Sequence, residues 1–404
     1  MPKILRIFNR CIIGGPVLNA SYLTKYLQPE FETLLLMGEK DPHEQSADHL
    51  IQQLGISYVT VPHMTRSLNP LDDLKAYQEI RTLIKRFQPD IVHTHAAKPG
   101  ALGRLAAASL KVPVVVHTFH GHVFHSYFNS FKTKFFINTE RFLARKTDAI
   151  IAISKAQKHD LVDEFQVAPP EKFYVVPLGL DLDKFQENQA EKRALFRQQF
   201  RLEDDVIAIG IIGRLVPVKN HPLFLKAIKY VLQNSSKKIK AFIIGDGEQR
   251  TALERLAKEL GIDFTTHKDQ QHPHPLVFTS WRSDIDVINA GLDIITLCSF
   301  NEGTPVSLIE AQAADKPIVS TQVGGIADVV VEGETALLSK VNEEEKFCEN
   351  LLKVVENDDV RERLAFESHK YVMEKFSYQR LMRDTAALYH ELLARKKKTN
   401  AVLR

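Results

Sequence analysis

Cysteine is scarce in this 404-residue sequence: only Cys11, Cys298 and Cys348 occur, none in a Cys-x-x-Cys pair. That excludes a disulfide framework and a cysteine-rich zinc site, and it predicts buried, reduced thiols. No unbroken apolar stretch approaches the roughly 18–20 residues that cross a bilayer. The opening run Met1–Phe8 reads as a short strand rather than a signal peptide, so a cytoplasmic protein is expected. Charge of one sign is also lacking. Fifty-three Lys and Arg stand against fifty Asp and Glu, a net of +3, too little for bulk charge to draw nucleic acid. The remaining composition, 44% hydrophobic and 25% charged without repeats or low-complexity tracts, suits two ordinary globular domains rather than a disordered or fibrous chain.

The charge is unevenly placed. Between residues 98 and 158 there are ten basic residues and two acidic ones, Glu140 and Asp148. Within that stretch, the run from Phe131 to Lys146 interleaves aromatic and basic side chains. It supports two readings: a patch that rests on an anionic membrane surface near a lipid-linked acceptor, or a core-packed helix with a solvated basic face.

Short runs rich in Val and Ile alternate with segments of helical period, which predicts two series of strand-then-helix units. The first series has strands near Ile4–Phe8, Thr33–Met37, Tyr58–Val61, Ile91–Thr94, Val114–Thr118, Ala149–Ile153 and Phe173–Val176. The second follows a polar segment around Asp181–Gln199, with strands at Val206–Ile212, Lys240–Ile244, Leu276–Thr279, Ile294–Leu297 and Ile318–Thr321. Such alternation implies an α/β fold of two doubly wound parallel sheets, with ligands at the C-terminal ends of the strands in a cleft between them. The expected division is residues 1–183, residues 184–376 and a helical tail, 377–404, that packs back on the first domain.

The most informative segment is Ser299-Phe-Asn-Glu-Gly-Thr-Pro-Val-Ser-Leu-Ile-Glu310, directly after the strand Ile294–Leu297. Thr304 suits the cap and Pro305 the first position of a helix, so the amides of Gly303, Thr304 and Val306 should form an anion site suited to phosphate. Glu302 and Glu310 flank it as hydroxyl acceptors, which fits a ligand with both phosphate and sugar hydroxyls. An ordinary strand-to-helix turn with two solvated glutamates is the competing reading. In Gly210-Ile-Ile-Gly-Arg-Leu-Val-Pro-Val-Lys-Asn220, Arg214 and Lys219 leave a strand end without a helical (i, i+4) partner and could neutralise a diphosphate.

Three elements together, Gly-Arg-Leu-x-Pro-x-Lys-Asn from 213 to 220, Glu-x7-Glu from 302 to 310, and Val323-Gly-Gly-Ile326, resemble the family 4 glycosyltransferases, retaining enzymes of the GT-B fold. The resemblance extends through nearly the whole chain. It implies two Rossmann-like domains and transfer of a hexosyl-type sugar from a UDP- or GDP-sugar to a saccharide or lipid-linked hydroxyl, in polysaccharide or cell-envelope glycolipid synthesis. It further implies that Gly213, Arg214 and Lys219 meet the diphosphate, Glu310 the ribose, and Glu302 with Gly303, Thr304 and Val306 the transferred sugar. Gly245 lies in the turn beside the nucleotide, while Arg282 and Asp284 lie where the base is read. In the first domain, Gly14 and Gly15 fill the family's glycine loop, and His120 takes the place of a histidine that contacts the donor sugar near the reacting carbon. His120, Glu302, Arg214 and Lys219 are thus the expected catalytic set, and no metal or other cofactor is called for.

The histidines at 117, 120, 122 and 125 also invite a zinc reading, but they lack accompanying carboxylate or cysteine at ligand spacing. The run His267–His274 reads as an inserted surface loop. A sugar-nucleotide epimerase, a phosphorylase and a non-catalytic nucleotide-sugar binder share the architecture. An NAD-dependent oxidoreductase would need fingerprint glycines that the first strand-helix turn does not have.

Overall fold

The computed structural model describes residues 1–12, 15–40, 46–65, 67, 69–121, 130–266 and 274–402. They divide into two compact units: 1–180 together with 376–404, and 181–375.

The first unit is built on seven parallel strands: β1 (Lys3–Arg10), β2 (Glu32–Gly38), β3 (Val59–Val61), β4 (Ile91–His95), β5 (Val114–Phe119), β6 (Ala149–Ala152) and β7 (Phe173–Val175). Their order in the sheet is β3-β2-β1-β4-β5-β6-β7. Helices cover both faces, so the strands are buried on both sides and read as nearly continuous apolar runs. The helix Pro70–Phe87 shows how locally this is specified. The Asn69 side chain accepts from the Leu71 amide, Pro70 opens the helix, Asp72 and Asp73 sit in the first turn and Lys85 and Arg86 in the last, and Gln88 ends it in the left-handed region before Pro89.

The chain returns to this unit at its end. The Leu180 amide donates to the Phe376 carbonyl at 2.8 Å. The helix Tyr378–Val402 then lays Leu381, Leu388, Tyr389 and Leu392 on Ile4, Ile91, Val114 and Val116 of the sheet.

The second unit repeats the plan with β8 (Ile207–Ile212), β9 (Ile239–Ile244), β10 (Phe264–Thr266), β11 (Leu276–Ser280), β12 (Ile294–Leu297), β13 (Ile318–Thr321) and β14 (Ala336–Ser339), ordered β10-β11-β9-β8-β12-β13-β14 and all parallel. Ile209, Ile211, Phe224, Ile228, Phe347 and Leu351 are among the fully buried residues of its core. The helix Gln189–Gln199 joins this unit through Arg193, which pairs with Asp293 at 2.7 Å. Two strands go beyond the sequence expectation, β10 and β14, and each forms one edge of the sheet. Cys11, Cys298 and Cys348 are free and buried.

Candidate functional site

Each sheet has one point at which its strand order runs outward in both directions: between β1 and β4 in the first unit, and between β8 and β12 in the second. Ligands of open α/β sheets sit beyond the C-terminal strand ends at such points. In the second unit, β8 runs directly into Gly213 and Arg214, and β12 into the segment that carries Glu302.

The two strand-end loops are tied together. Pro217–Lys219 forms a single 3-10 turn closed by Asn220 at φ 48°, and the Phe300 amide donates to the Val218 carbonyl at 2.8 Å. This brings Lys219 Nζ to 2.6 Å from Glu302 Oε1, an oxygen that also accepts from Ser299 Oγ at 2.5 Å. Of the two cations expected to have no helical (i, i+4) partner, Lys219 thus gains a distant one. It lacks a helical partner, but the meeting of the loops supplies an acidic one. Arg214 is exposed and has no acidic partner among the described residues.

Glycines permit this closeness. A Cβ on Gly325 would lie 1.8 Å from the Gly303 carbonyl oxygen, and one on Gly245, which has φ +139°, would lie 1.9 Å from that of Gly213. Any other residue would push these loops apart. The Gly325 amide also donates to the Glu302 carbonyl at 3.0 Å. Val323-Gly-Gly-Ile326 thus forms a seat under the Glu302–Gly303 turn.

The helix after this turn spans Val306–Ala313, with Pro305 at its cap position. It begins one residue later than expected, because Pro305 at ψ 94° has not yet turned helical. Thr304 accordingly makes no cap, and its hydroxyl is buried without a hydrogen-bond partner. Among the described residues, the amides of Gly303, Thr304, Val306 and Ser307 find no protein acceptor. Free amides at the positive end of a helix dipole attract an anion.

Glu310, further along this helix, has a carboxyl pushed up to about 7. Burial is the main cause, Lys184 opposes it and Asp286 adds to it. Between the usual 4.5 and about 7 the folded protein holds a proton that the unfolded chain has released, so stability falls as pH rises through this window. Glu310→Gln is expected to flatten that part of the Tm-versus-pH curve and to exceed the parent's stability at pH 8 by on the order of 1–2 kcal/mol. Thermal melts from pH 4 to 9 check this, and parallel curves for the two proteins would contradict it.

Arg282 and Asp284 are joined to each other, Arg282 Nε lying 2.7 Å from Asp284 Oδ1, and Arg282 Nη2 also donates to Gln199 Oε1 at 3.0 Å. The absence of an Asp-x-Asp motif was also expected, and this is corrected: the chain contains two such triplets, 181–183 and 284–286. In the second, Asp284 is neutralised by Arg282, and Asp286 by Lys192 at 2.8 Å. Among the described residues, no group of three His, Cys, Asp or Glu side chains could hold a metal ion.

In the first unit, Gly14 lies outside the described residues, and so do His122, His125 and most of the His267–His274 run. Gly15 begins the helix Gly15–Tyr26. His120 directly follows β5, and its Nε2 lies 2.9 Å from Nδ1 of His95 at the end of β4. Behind them stand residues that the sequence reading passed over. Arg6 Nη1 contacts His93 Nδ1 at 3.0 Å and His95 Nε2 at 3.3 Å, and Tyr389 Oη reaches His93 Nδ1 at 2.5 Å. Arg6, His93 and His95 are completely buried. The signal was present in the period of two: Ile91, His93 and His95 share one face of β4, as Val114, Val116 and Thr118 do along β5, with His120 next in step just past its end. His117 points to the other face, toward Thr94 Oγ1 at 2.8 Å.

The basic stretch keeps its net positive charge in the fold, because its two acidic residues are both paired. Arg104 is buried and paired with Glu140 at 2.7 Å, and Lys396 of the last helix neutralises Asp148 at 2.7 Å. Of the helix Ser130–Ala144, Leu143 and Ala144 are buried while Phe135 and Phe142 are exposed.

Two parallel-sheet units, the second with paired charges and a helix N-terminus at its strand-order switch, are the architecture of the GT-B class. The family comparisons agree: residues 13–184 match Glycosyltransferase Family 4, and residues 192–370 match Glycosyl transferases group 1. The chain belongs to the family 4 glycosyltransferases. Among its relatives is the UDP-Gal:alpha-D-GlcNAc-diphosphoundecaprenol alpha-1,3-galactosyltransferase of Escherichia coli, 28% identical and covered over 91% of each chain. Another is the capsular polysaccharide biosynthesis glycosyltransferase CapM of Staphylococcus aureus, 25% identical over 87% of this chain and 90% of that one. Among solved structures, Anabaena HepE in complex with UDP shares the fold at a TM-score of 0.80 and 18% identity, over 96% of this chain and 100% of that one.

Proposed function

We propose that this glycosyltransferase takes its sugar from a nucleoside-diphosphate donor, a UDP- or GDP-sugar, with retention of configuration and without a metal ion. The observation that carries the reading is the charge arrangement at the β8/β12 switch. Exposed Arg214, Lys219 held by Glu302, and the free amides from Gly303 to Ser307 all favour negative charge at one place. The bond from the sugar's anomeric carbon to the diphosphate oxygen breaks, and an acceptor hydroxyl attacks from the same face. Its proton passes to the departing phosphate oxygen. The task of the cations and amides is to stabilise charge developing on that phosphate. Glu302 and the adjoining backbone hold the transferred sugar, Glu310 the ribose, Gly245 the edge of the nucleotide, and Arg282 with Asp284 the neighbourhood of the base. In the first unit, Gly15 allows close backbone approach, and His120 hydrogen-bonds a hydroxyl of the substrate.

Product analysis tests the reading. Incubation with donor and acceptor in EDTA should release free nucleoside diphosphate and give a glycoside of the donor's own anomeric configuration by NMR. An inverted product, or an altered sugar still attached to its nucleotide, would refute it.

The acceptor is proposed to be a saccharide or lipid-linked hydroxyl of cell-envelope polysaccharide synthesis, a reading supported by the activities of the Escherichia coli and Staphylococcus aureus relatives. No helix among the described residues is long and apolar enough to cross a membrane. Exposed Leu71, Leu74, Phe135 and Phe142, with Lys134, Arg145 and Lys146 beside them, suit peripheral contact with an anionic bilayer instead. Co-sedimentation with vesicles containing anionic phosphatidylglycerol is expected and should fall in Phe135→Glu/Phe142→Glu. Equal recovery with neutral vesicles would remove the membrane contact.

A further inference from the structure

We propose that Arg6 is a positioning residue: a buried cation that fixes the ring tautomers of His93 and His95 and, through His95, presents His120 with its Nδ1 protonated as a hydrogen-bond donor for the substrate. The proposal rests on the reading of His120 as a substrate contact and explains how that contact is prepared. Guanidinium can only donate, and its Nη1 carries two hydrogens. Those two match the two acceptors that Arg6 Nη1 meets, His93 Nδ1 at 3.0 Å and His95 Nε2 at 3.3 Å. Neither nitrogen can then bear a hydrogen.

The rest follows along each ring. A neutral His95 that accepts at Nε2 must carry its hydrogen on Nδ1, so it donates to His120 Nε2 at 2.9 Å. His120 must in turn carry its hydrogen on Nδ1, a buried atom with no partner among the described residues. His93, accepting at Nδ1, donates from Nε2 to Thr118 Oγ1 at 2.7 Å. The His95 and His120 rings lie nearly parallel, 19° apart, which suits a hydrogen bond in the ring planes.

Neutral rings are required, and the surroundings provide them. Burial is the leading cause that lowers all three histidines, and the Arg6 charge adds to it at His93 and His95; His120 is brought down to about 4. No carboxylate contacts Arg6 among the described residues. Its other partner is the Tyr389 hydroxyl at 3.4 Å, supplied by the C-terminal helix, which itself reaches His93 Nδ1. The backbone just past His95 is held in an uncommon conformation, Ala96 at φ 65° and ψ 166°, a region that residues other than glycine rarely occupy. Position and proton placement at His95 are therefore both constrained.

Long-range 1H–15N NMR on histidine-labelled protein reads the tautomers directly and needs no ligand. The wild type should show His120 and His95 protonated on Nδ1 and His93 on Nε2, unchanged between pH 6 and 8. Arg6→Met, whose side chain fills a similar volume, should give a mixture at His95 and His120. Its kcat should fall by about 10-fold, with the donor KM nearly unchanged, and Arg6→Lys should recover part of the loss. His120 protonated on Nε2 in the wild type overturns the proposal whether or not any variant folds, as does a folded Arg6→Met with wild-type kcat. Failure of the underlying reading looks different: His120→Ala would then turn over normally while the wild-type tautomers stay as stated.

Discussion

Lys219→Ala is expected to lower the rate of sugar transfer at saturating donor by about 10²- to 10³-fold while the protein remains folded. The ammonium group is 2.6 Å from Glu302 and, under the proposed mechanism, faces the phosphate on which charge develops as the sugar departs. Its loss removes stabilisation that is strongest in the transition state, so kcat should fall rather than KM alone rise. The same change leaves Glu302 without its counter-ion beside an anion-binding turn, and repulsion of the phosphate adds to the loss. Glu302→Ala is expected to lose activity to a similar degree, because Lys219 is then no longer held. Since the two side chains act as a pair, the double variant should lose less than the product of the single losses. Turnover near the wild-type rate in both single variants, measured with saturating donor and normal thermal melts, would show that these residues do not carry the reaction.

The second large effect is expected from one methyl group. Gly325→Ala places a Cβ 1.8 Å from the Gly303 carbonyl oxygen, a distance that no real contact tolerates. The obstacle is backbone, not the far end of a flexible side chain, so the Glu302–Gly303 turn must move. Overpacking of this kind costs about 1–3 kcal/mol, equivalent to a fall in Tm of several degrees for a unit of this size. Nucleotide affinity should fall by more than the stability loss alone would suggest, because the displaced turn carries both the free amides and the partner of Lys219. Calorimetric titration with the donor's nucleoside diphosphate, alongside a melt, separates the two effects. Wild-type affinity in Gly325→Ala would mean that the turn is not part of the nucleotide site.

Much of the fold was legible because strands buried on both faces are largely apolar, as Ile207–Ile212 and Ile294–Leu297 are. The strands that escaped notice, Phe264–Thr266 and Ala336–Ser339, are short edges paired on one side only, where two threonines or a serine suffice. The location of the candidate site was legible for a related reason: glycines, a proline and charged residues directly after apolar runs mark strand ends. The Lys219–Glu302 pair was not, since the partners are 83 residues apart and local spacing carries no trace of their meeting. Arg6 was hidden more deeply. An arginine in the middle of Lys3–Arg10 reads as an exposed position in a strand, and only the packing of His93, His95 and Tyr389 around it makes it part of a buried network. Helix-cap chemistry misled by one residue at Thr304, where proline geometry delayed the first turn.

The most direct test of the central claim, that the second unit binds a nucleoside diphosphate through its own cations and amides, is thermal stability against a panel of nucleoside diphosphates and their sugars in EDTA and then with magnesium. One nucleotide class should stabilise the protein in EDTA, by about 2.7 kcal/mol at 100 times its dissociation constant, and Lys219→Ala should abolish the shift. No stabilisation by any member of the panel, or stabilisation that appears only when magnesium is added, would contradict the account.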